Sequence, residues 1–458
     1  MELRSDELLR LAERCAGDDA QRNVFRRAAR RVPAAKGSAD KAIAAAQPFA
    51  DAVRAYTHDV KRLKRLCQGR QGARAVYGEA VWLSGDTREQ ELFRSVAQSG
   101  KLVMKLAEPV LTATTEVLSV LAAAEADAEV QNEVGVFSFD MRDMIGAADV
   151  VFGVTDPRYV YSVVVFQKSD RMQERLNAQV IDVGAHLNET FYRRTHAVVF
   201  TSATLMVGGS FDAFERAMGL NASDWSSART LSLSSGFDFD RNMVIYVPTD
   251  MPEYSGGENN ETYLRRLSCL LRDVHLATRG GLLTLFASRA DLEARYEAVQ
   301  QAHDEAGLVL ERQRPGSSFK ALRENFLSNR DSSLFGLKAF WAGFDAPGET
   351  LRGVIIPKLP FAQPNDPLSK AREEIEGSGY EAWRKYSLSA AVIDTRQAVG
   401  RLIRKADDRG IIILGDSRIL SKGYGKTVLN SMPSHTVCRL TCEEIAEDIR
   451  RRFPEWQR

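Results

Sequence analysis

Between residues 236 and 458, short apolar runs alternate with longer amphipathic ones, and few folds accommodate that alternation. The runs GGLLTLFAS, LVLER, SSLFGL, LRGVIIPKL, GIIILGD and HTVCRL read as strands. Helix-patterned segments separate most of them, and a last helix ends RRFPEWQR. A run as continuously apolar as GIIIL needs cover on both faces, which a parallel sheet flanked by helices provides. The expectation is an α/β domain that is whole within 236–458.

Residues 1–134 follow a different period. ELLRLAERCA, NVFRRAARRV and KLVMKLAEPVLTATTEVLSVLAAAEA place apolar residues three and four apart, as an amphipathic helix does. Breaks are expected at Val32-Pro33, Gln68-Gly69, Ser84-Gly85 and Gln98-Ser99-Gly100. Residues 135–235 are mixed. YVYSVVVFQ, NAQVIDV and AVVFTSATL read as strands, and HLNETFYRR as a helix.

The net charge of +1 excludes any argument from the whole chain, but charge is unevenly placed. Gln21 to Ala75 holds fourteen Arg and Lys against Asp40, Asp51 and Asp59. Arg26, Arg27, Arg30 and Arg31 form one cluster; Lys61, Arg62, Lys64 and Arg65 form another. A basic lobe on a neutral chain is the footprint of phosphate-backbone binding. A solvated helix face gives the same run, but carboxylates for i,i+4 pairing are nearly absent, which favours the first reading.

No apolar run reaches the roughly 18 residues of a membrane span, so no membrane partner is expected. The N-terminus MELRSDELLRLAERC lacks signal-peptide character. Five cysteines, odd in number and scattered, point to free thiols in a reducing, cytoplasmic setting. Cys438 and Cys442 lie four apart with no second pair in reach and read as small buried residues. The six histidines show no ligand spacing, so no metal is expected on this chain.

Chemistry concentrates in Gln397-Ala-Val-Gly-Arg-Leu-Ile-Arg404, the end of the helix-patterned run YSLSAAVIDTRQAVGRLIR. A continued helix puts Arg401 and Arg404 on one face, with Gln397 one turn earlier. Two guanidinium forks and an amide suit a site that holds a terminal phosphate and stabilises charge during its transfer. A surface helix laced with salt bridges accounts for these eight residues equally well.

Five other blocks accompany that one: AVVFTSATL (197–205), GGLLTLFASRADLEARYEAV (280–299), SSLFGLKAFWAGFDAPG (332–348), LRGVIIPKLPFAQPNDPL (351–368) and GDSRILSKGYGKTVLNSMP (415–433). Their order and spacing resemble the DinG/XPD-type superfamily 2 DNA helicases, ATP-dependent motors that move 5′ to 3′ on single strands. The resemblance implies an α/β fold with a RecA-like motor domain at 236–458. It also implies an incomplete first RecA-like domain at 135–235 and a helical arch-like insertion at 1–134. It casts Arg401 and Arg404 as arginine fingers, and Gln397 as a contact to the γ-phosphate or the attacking water. Gly343, Asp345 and Gly400 would lie beside the nucleotide. Thr201, Ser202 and Thr204 would couple the nucleotide site to the DNA path, although hydroxyls at a turn are also ordinary capping chemistry. Ser288 and Arg289, with Lys61, Arg62, Lys64 and Arg65, would grip single-stranded DNA; Arg289 facing solvent is the plain alternative.

The chain departs from the family in ways that matter. Ala342 replaces the family's glutamate and Phe344 its valine. The phosphate loop G-x-x-x-x-G-K-S/T is missing: Gly425-Lys426-Thr427 fails because Leu420 stands where the first glycine belongs. The Asp-Glu-Ala-His motif is missing too, Asp304-Glu305-Ala306-Gly307 being the nearest approach. ATP and Mg²⁺ are therefore expected only together with a separate N-terminal helicase half. The family's iron–sulfur ligands fall in that half, so none are expected here. A non-catalytic nucleic-acid-binding subunit, or a truncated inactive helicase, is the alternative.

Overall fold

The alanine- and leucine-rich N-terminal runs form the helices that their spacing predicts. The computed structural model describes residues 1–63, 79–153, 156–168, 171–221, 228–254, 258–341, 344, 346, 350–362 and 366–457. The chain divides into a helical unit, residues 1–182 with 363–379, and a sheet unit, residues 183–362 with 380–458.

The principal helices of the first unit are α1 (Ser5–Ala16), α2 (Val24–Arg31), α3 (Lys36–Arg62), α4 (Glu91–Ala123) and α5 (Ala128–Gly153). Buried Asn23 starts α2. Its Oδ1 accepts from the Phe25 and Arg26 amides at 3.0 and 3.1 Å, and its Nδ2 donates to the Cys15 carbonyl at 2.9 Å. One residue thus caps a helix and ties it to the end of α1. Ala39, Ala42 and Ala46 of α3 are fully buried, small enough for a neighbouring helix to approach closely. The break expected at Gly100 does not occur, because α4 runs through it. A Cβ there would lie 2.2 Å from the Phe152 ring, so the glycine makes room for α5. One 18-residue window of α4, with mean hydropathy 1.3, is apolar enough to cross a membrane by length and composition, which the sequence reading did not anticipate. Its buried residues Val103, Ala107, Val110, Val117 and Leu121 belong to the core of this unit.

Four antiparallel strands complete the unit: β1 (Glu2–Arg4), β2 (Glu79–Trp82), β3 (Tyr159–Lys168) and β4 (Arg171–Val180), in the order β1-β4-β3-β2. This departs from the expected division at 134/135. Helix α5 spans that boundary and buries Val130, Val134, Phe137 and Met141 in one core. The Phe25 and Phe137 rings meet edge to face at 5.4 Å. YVYSVVVFQ and NAQVIDV are indeed strands, but they form a hairpin whose neighbours are β2 and the chain's first residues. They are not the parallel strands of a motor sheet.

The sheet unit carries β5 (Met243–Pro248), β6 (Leu282–Leu285), β7 (Val309–Arg312), β8 (Ser332–Gly336), β9 (Gly353–Ile356), β10 (Gly410–Leu414) and β11 (Val437–Leu440). They form one sheet in the order β11-β5-β10-β9-β6-β8-β7, with every pairing parallel. Its helices include α6 (Glu258–Thr278), α7 (Arg289–Glu305), α8 (Ser389–Val399), α9 (Gly425–Asn430) and α10 (Cys442–Arg452). Strand alternation feeds two cores: Ile411 and Ile413 enter one, Ile412 and Leu414 the other. All six expected strands are present. The seventh, β5, is fully buried between β11 and β10. Cys442 is buried, and burial raises its thiol pKa; Cys438 is half-buried.

AVVFTSATL does not form the expected strand. No strand pairs with residues 197–205 among the described residues, and Val199 is 86% exposed. Leu231 and Leu233 are likewise 76% and 79% exposed. Apolar residues at strand spacing need a neighbouring strand for both hydrogen bonding and cover.

Candidate functional site

Helix α8 delivers Gln397 and then stops. It ends at Val399, and the Gly400 amide closes on the Arg396 carbonyl at 2.9 Å. The expectation of one helical face through Arg404 is therefore corrected. Leu402 and Ile403 turn into the core, and the Asp408 carboxylate accepts from the Arg404 and Lys405 amides at 2.7 and 2.8 Å. Arg404 is exposed. Arg401 folds back: its Nε donates to the Gln397 carbonyl at 3.2 Å and its Nη1 to the Phe344 carbonyl. The turn thus joins the Gln397 block to the FWAGFD block. Gly343 and Asp345 lie outside the described residues.

The structure brings the hydroxyl block to the same place. Gln397 Nε2 donates to Thr204 Oγ1 at 3.4 Å. Thr204 Oγ1 lies 3.1 Å from Ser202 Oγ, which also accepts the Thr204 amide at 3.1 Å. Thr201 is exposed beside them. Residues almost two hundred positions apart are thereby juxtaposed. A chain of hydroxyls ending on a side-chain amide can exchange partners without leaving a buried group unpaired.

Ser288 follows β6 and caps α7, its Oγ accepting the Asp291 amide at 3.4 Å. Arg289 is neither solvated nor offered outward. Its side chain is 16% exposed, Nη1 donates to the Gln313 carbonyl at 2.9 Å, and Glu293 lies 3.9 Å away. Lys61 and Arg62 are exposed at the end of α3, Arg62 within 3.9 Å of Asp59. Lys64 and Arg65 lie outside the described residues. The other basic cluster is largely neutralised. Arg27 pairs with Glu133, Arg31 with Glu129 at 2.8 Å, and Arg26 with Asp18 at 3.6 Å. Two of these carboxylates come from α5, about a hundred residues away, which i,i+4 reasoning does not reach.

Sequence reasoning missed a polar cluster at the carboxyl ends of β9 and β10. Asp416 is 3% exposed, takes two hydrogen bonds from Arg418 at 2.8 and 2.6 Å, and accepts the Leu359 amide at 3.1 Å. Lys358 reaches Asp291, and Tyr263 donates to the Pro357 carbonyl at 2.7 Å. The carboxyl edge of a parallel sheet is where such folds bind ligands. The signal was the charged residue directly after each apolar run, in IIPK and ILGD. Among the described residues no group of three His, Cys, Asp or Glu is placed to hold a metal.

Residues 271–435 match the helicase C-terminal domain family. The chain is 31% identical over 296 residues to the 3′-5′ exonuclease DinG of Bacillus subtilis, covering 64% of this chain and 31% of that protein. It is 34% identical over 258 residues to the ATP-dependent DNA helicase YoaA of Escherichia coli, covering 55% of this chain and 38% of that protein. It thus spans about a third of the length of these curated relatives. A solved XPD helicase shares the fold, with a TM-score of 0.51 at 12% identity over 96% of this chain and 65% of that one.

Proposed function

Because the chain carries a C-terminal region of the DinG/XPD helicase type, we propose that it supplies the single-strand grip and the arginine fingers of an ATP-dependent 5′ to 3′ DNA helicase. The observation that carries this reading is the contact between Gln397 and Thr204. It joins the block expected to sense phosphate to the block expected to relay that signal toward DNA. Arg401 and the Phe344 carbonyl extend the same junction.

The division of labour follows from what the sequence holds. A nest of backbone N–H groups for the phosphates, and a carboxylate for Mg²⁺, would come from a further polypeptide segment. This chain's own contribution is positional: guanidinium groups meeting charge that develops on a nucleotide held elsewhere. The exposed apolar residues Val199, Leu231 and Leu233 support a further sheet that these stretches would join.

The test is hydrolysis with and without that segment. The purified chain is expected to hydrolyse ATP at background rate and to bind single-stranded DNA. A polypeptide bearing the phosphate loop and the Asp-Glu-Ala-His motif is expected to restore DNA-stimulated turnover. Steady hydrolysis by the chain alone, abolished by Arg401→Ala, would overturn the division of labour. DNA binding that never acquires turnover would favour a non-catalytic nucleic-acid-binding subunit.

A further inference from the structure

Immediately after Thr204 the chain is fastened to the sheet unit by residues with no role assigned so far. Arg396, next to Gln397 on α8, donates through Nη1 to the Met206 carbonyl at 3.0 Å. Consecutive helix residues thus hold positions 204 and 206, two apart in the chain. Val207 packs against the core around β9 and β10. The Gly208 amide donates to Ser431 Oγ at 2.8 Å, and Ser431 Oγ donates in turn to the Thr427 carbonyl at 2.7 Å. Ser431 is 4% exposed, so its hydroxyl has both a donor and an acceptor partner in a buried place. Reciprocal bonds between Val207 and Ser210, at 2.9 and 3.1 Å, close a turn. Its two glycines have φ of +60° and +86°, the left-handed region that glycine occupies without strain.

We propose that Arg396 and Ser431 are positioning residues that clamp Met206–Gly208 as a strap, holding the Thr204 hydroxyl against Gln397. Two separate arms do the holding: α8 on one side, and the turn after α9 on the other. Arg396 and Ser431 themselves touch none of the coupling hydroxyls, whereas Gln397, next to Arg396 on α8, bonds that of Thr204. Movement of the end of α8 therefore reaches the Thr201–Thr204 block by two routes, the Gln397 bond to Thr204 and the backbone that Arg396 holds at Met206. That consequence rests on the helicase reading, whereas the strap itself does not.

The bond to Met206 is charge-assisted, and Arg396 is half-buried, where such a bond is stronger than in water. It uses one N–H on one carbonyl, not a bidentate fork. Lysine therefore replaces arginine here, unlike at a site that recognises a phosphate with both arms.

Amide hydrogen exchange on the whole chain tests the clamp without nucleotide or DNA. Arg396→Ala and Ser431→Ala are each expected to speed exchange across residues 204–210 on the order of fivefold, the scale of one lost hydrogen bond. Arg396→Lys is expected to restore most of the protection. Exchange elsewhere in the sheet unit, and its melting temperature, are expected to stay near the parent values. Unchanged exchange at 204–210 in both alanine variants sinks the strap and leaves the helicase reading intact. So does acceleration spread over the whole unit, which marks these residues as general supports. A strap that loosens as expected in an assembly without turnover removes the helicase reading and leaves the strap.

Discussion

Arginine serves two different ends at two places in this molecule, α2 in the helical unit and the end of α8 in the sheet unit. In the helical unit, Arg26, Arg27 and Arg31 of α2 face carboxylates, two of them supplied by α5. In the sheet unit, Arg396 and Arg401 donate to backbone carbonyls: Met206, Gln397 and Phe344. The difference is electrostatic. A carboxylate neutralises the guanidinium it holds, whereas a carbonyl fixes its direction and leaves the formal charge in place. Density of arginine in a sequence is thus a poor guide to anion binding. What the arginine rests on is the better one.

The largest consequence concerns turnover in an assembly completed by the phosphate-loop segment. Arg404→Ala is expected to lower hydrolysis on the order of 10³-fold, the scale of an arginine finger, while single-strand binding persists. Arg404→Lys is expected to rescue little, because a point charge does not reproduce a planar fork. Arg27→Ala and Arg31→Ala are expected to keep turnover within about twofold, since exposed ion pairs contribute little. An Arg404 variant that hydrolyses ATP normally yet releases DNA would show that the motif faces the strand.

The two units also differ in their response to acid. Buried in the sheet unit, His303 Nδ1 donates to the Val299 carbonyl at 2.9 Å. Its Nε2 must then accept from His275 Nδ1 at 3.0 Å, and His275 Nε2 from the Thr284 hydroxyl at 3.4 Å. With both rings charged, the His275 Nδ1–H and the His303 Nε2–H would face each other with no acceptor between them. Burial holds both histidines below their usual value, His275 well below, and His303 sits beside His275 while Asp304 opposes the shift of His303. The folded pKa values lie below the unfolded one of about 6.5, so stability is complete above that pH. As pH falls, the unfolded chain takes up protons that the folded unit refuses. Stability is expected to drop by up to about 1.4 kcal/mol per pH unit for each histidine. The helical unit holds no buried histidine pair of this kind and is expected to show no such loss. Segment-resolved hydrogen exchange at pH 7 and pH 5 separates the units. Equal loss in both, or a slope that survives in the His275→Phe, His303→Leu double variant, removes the histidine pair as its source.

How legible each feature was depended on the range of the interaction behind it. The parallel sheet could be read because each strand announces itself within a few residues, as GIIIL does. β5 is just as apolar, but MVIYVP was passed over at an assumed boundary. The hairpin β3–β4 was found as strands and assigned to the wrong sheet, because pairing partners lie far away in sequence. Gly100 reads locally as a breaker, and only the Phe152 ring explains why the helix continues. In the candidate site, Gln397 and Thr204 were legible as separate blocks. Their contact, and the part played by Arg396, were not, because a hydrogen bond spanning 190 positions leaves no local pattern.

The smallest effect distinguishes the two basic clusters of the helical unit. Lys61 stands exposed at the end of α3, with Arg62 beside it 3.9 Å from Asp59, whereas Arg27 and Arg31 are held by Glu133 and Glu129. An arginine bound to a carboxylate must give up that partner to reach a phosphate, so it gains little from the exchange. A free lysine releases counterions from the strand at no such cost. Lys61→Ala is therefore expected to weaken single-strand binding alike on any sequence. It is expected to reduce the slope of log affinity against log salt by roughly 0.7, the contribution of one single-strand phosphate contact. Arg27→Ala and Arg31→Ala are expected to leave the slope unchanged. Titrations of a fluorescent oligonucleotide at several salt concentrations decide the matter. If Arg27→Ala lowers the slope as Lys61→Ala does, the carboxylates of α5 do not neutralise the cluster, and the contrast between the two uses of arginine fails in the helical unit.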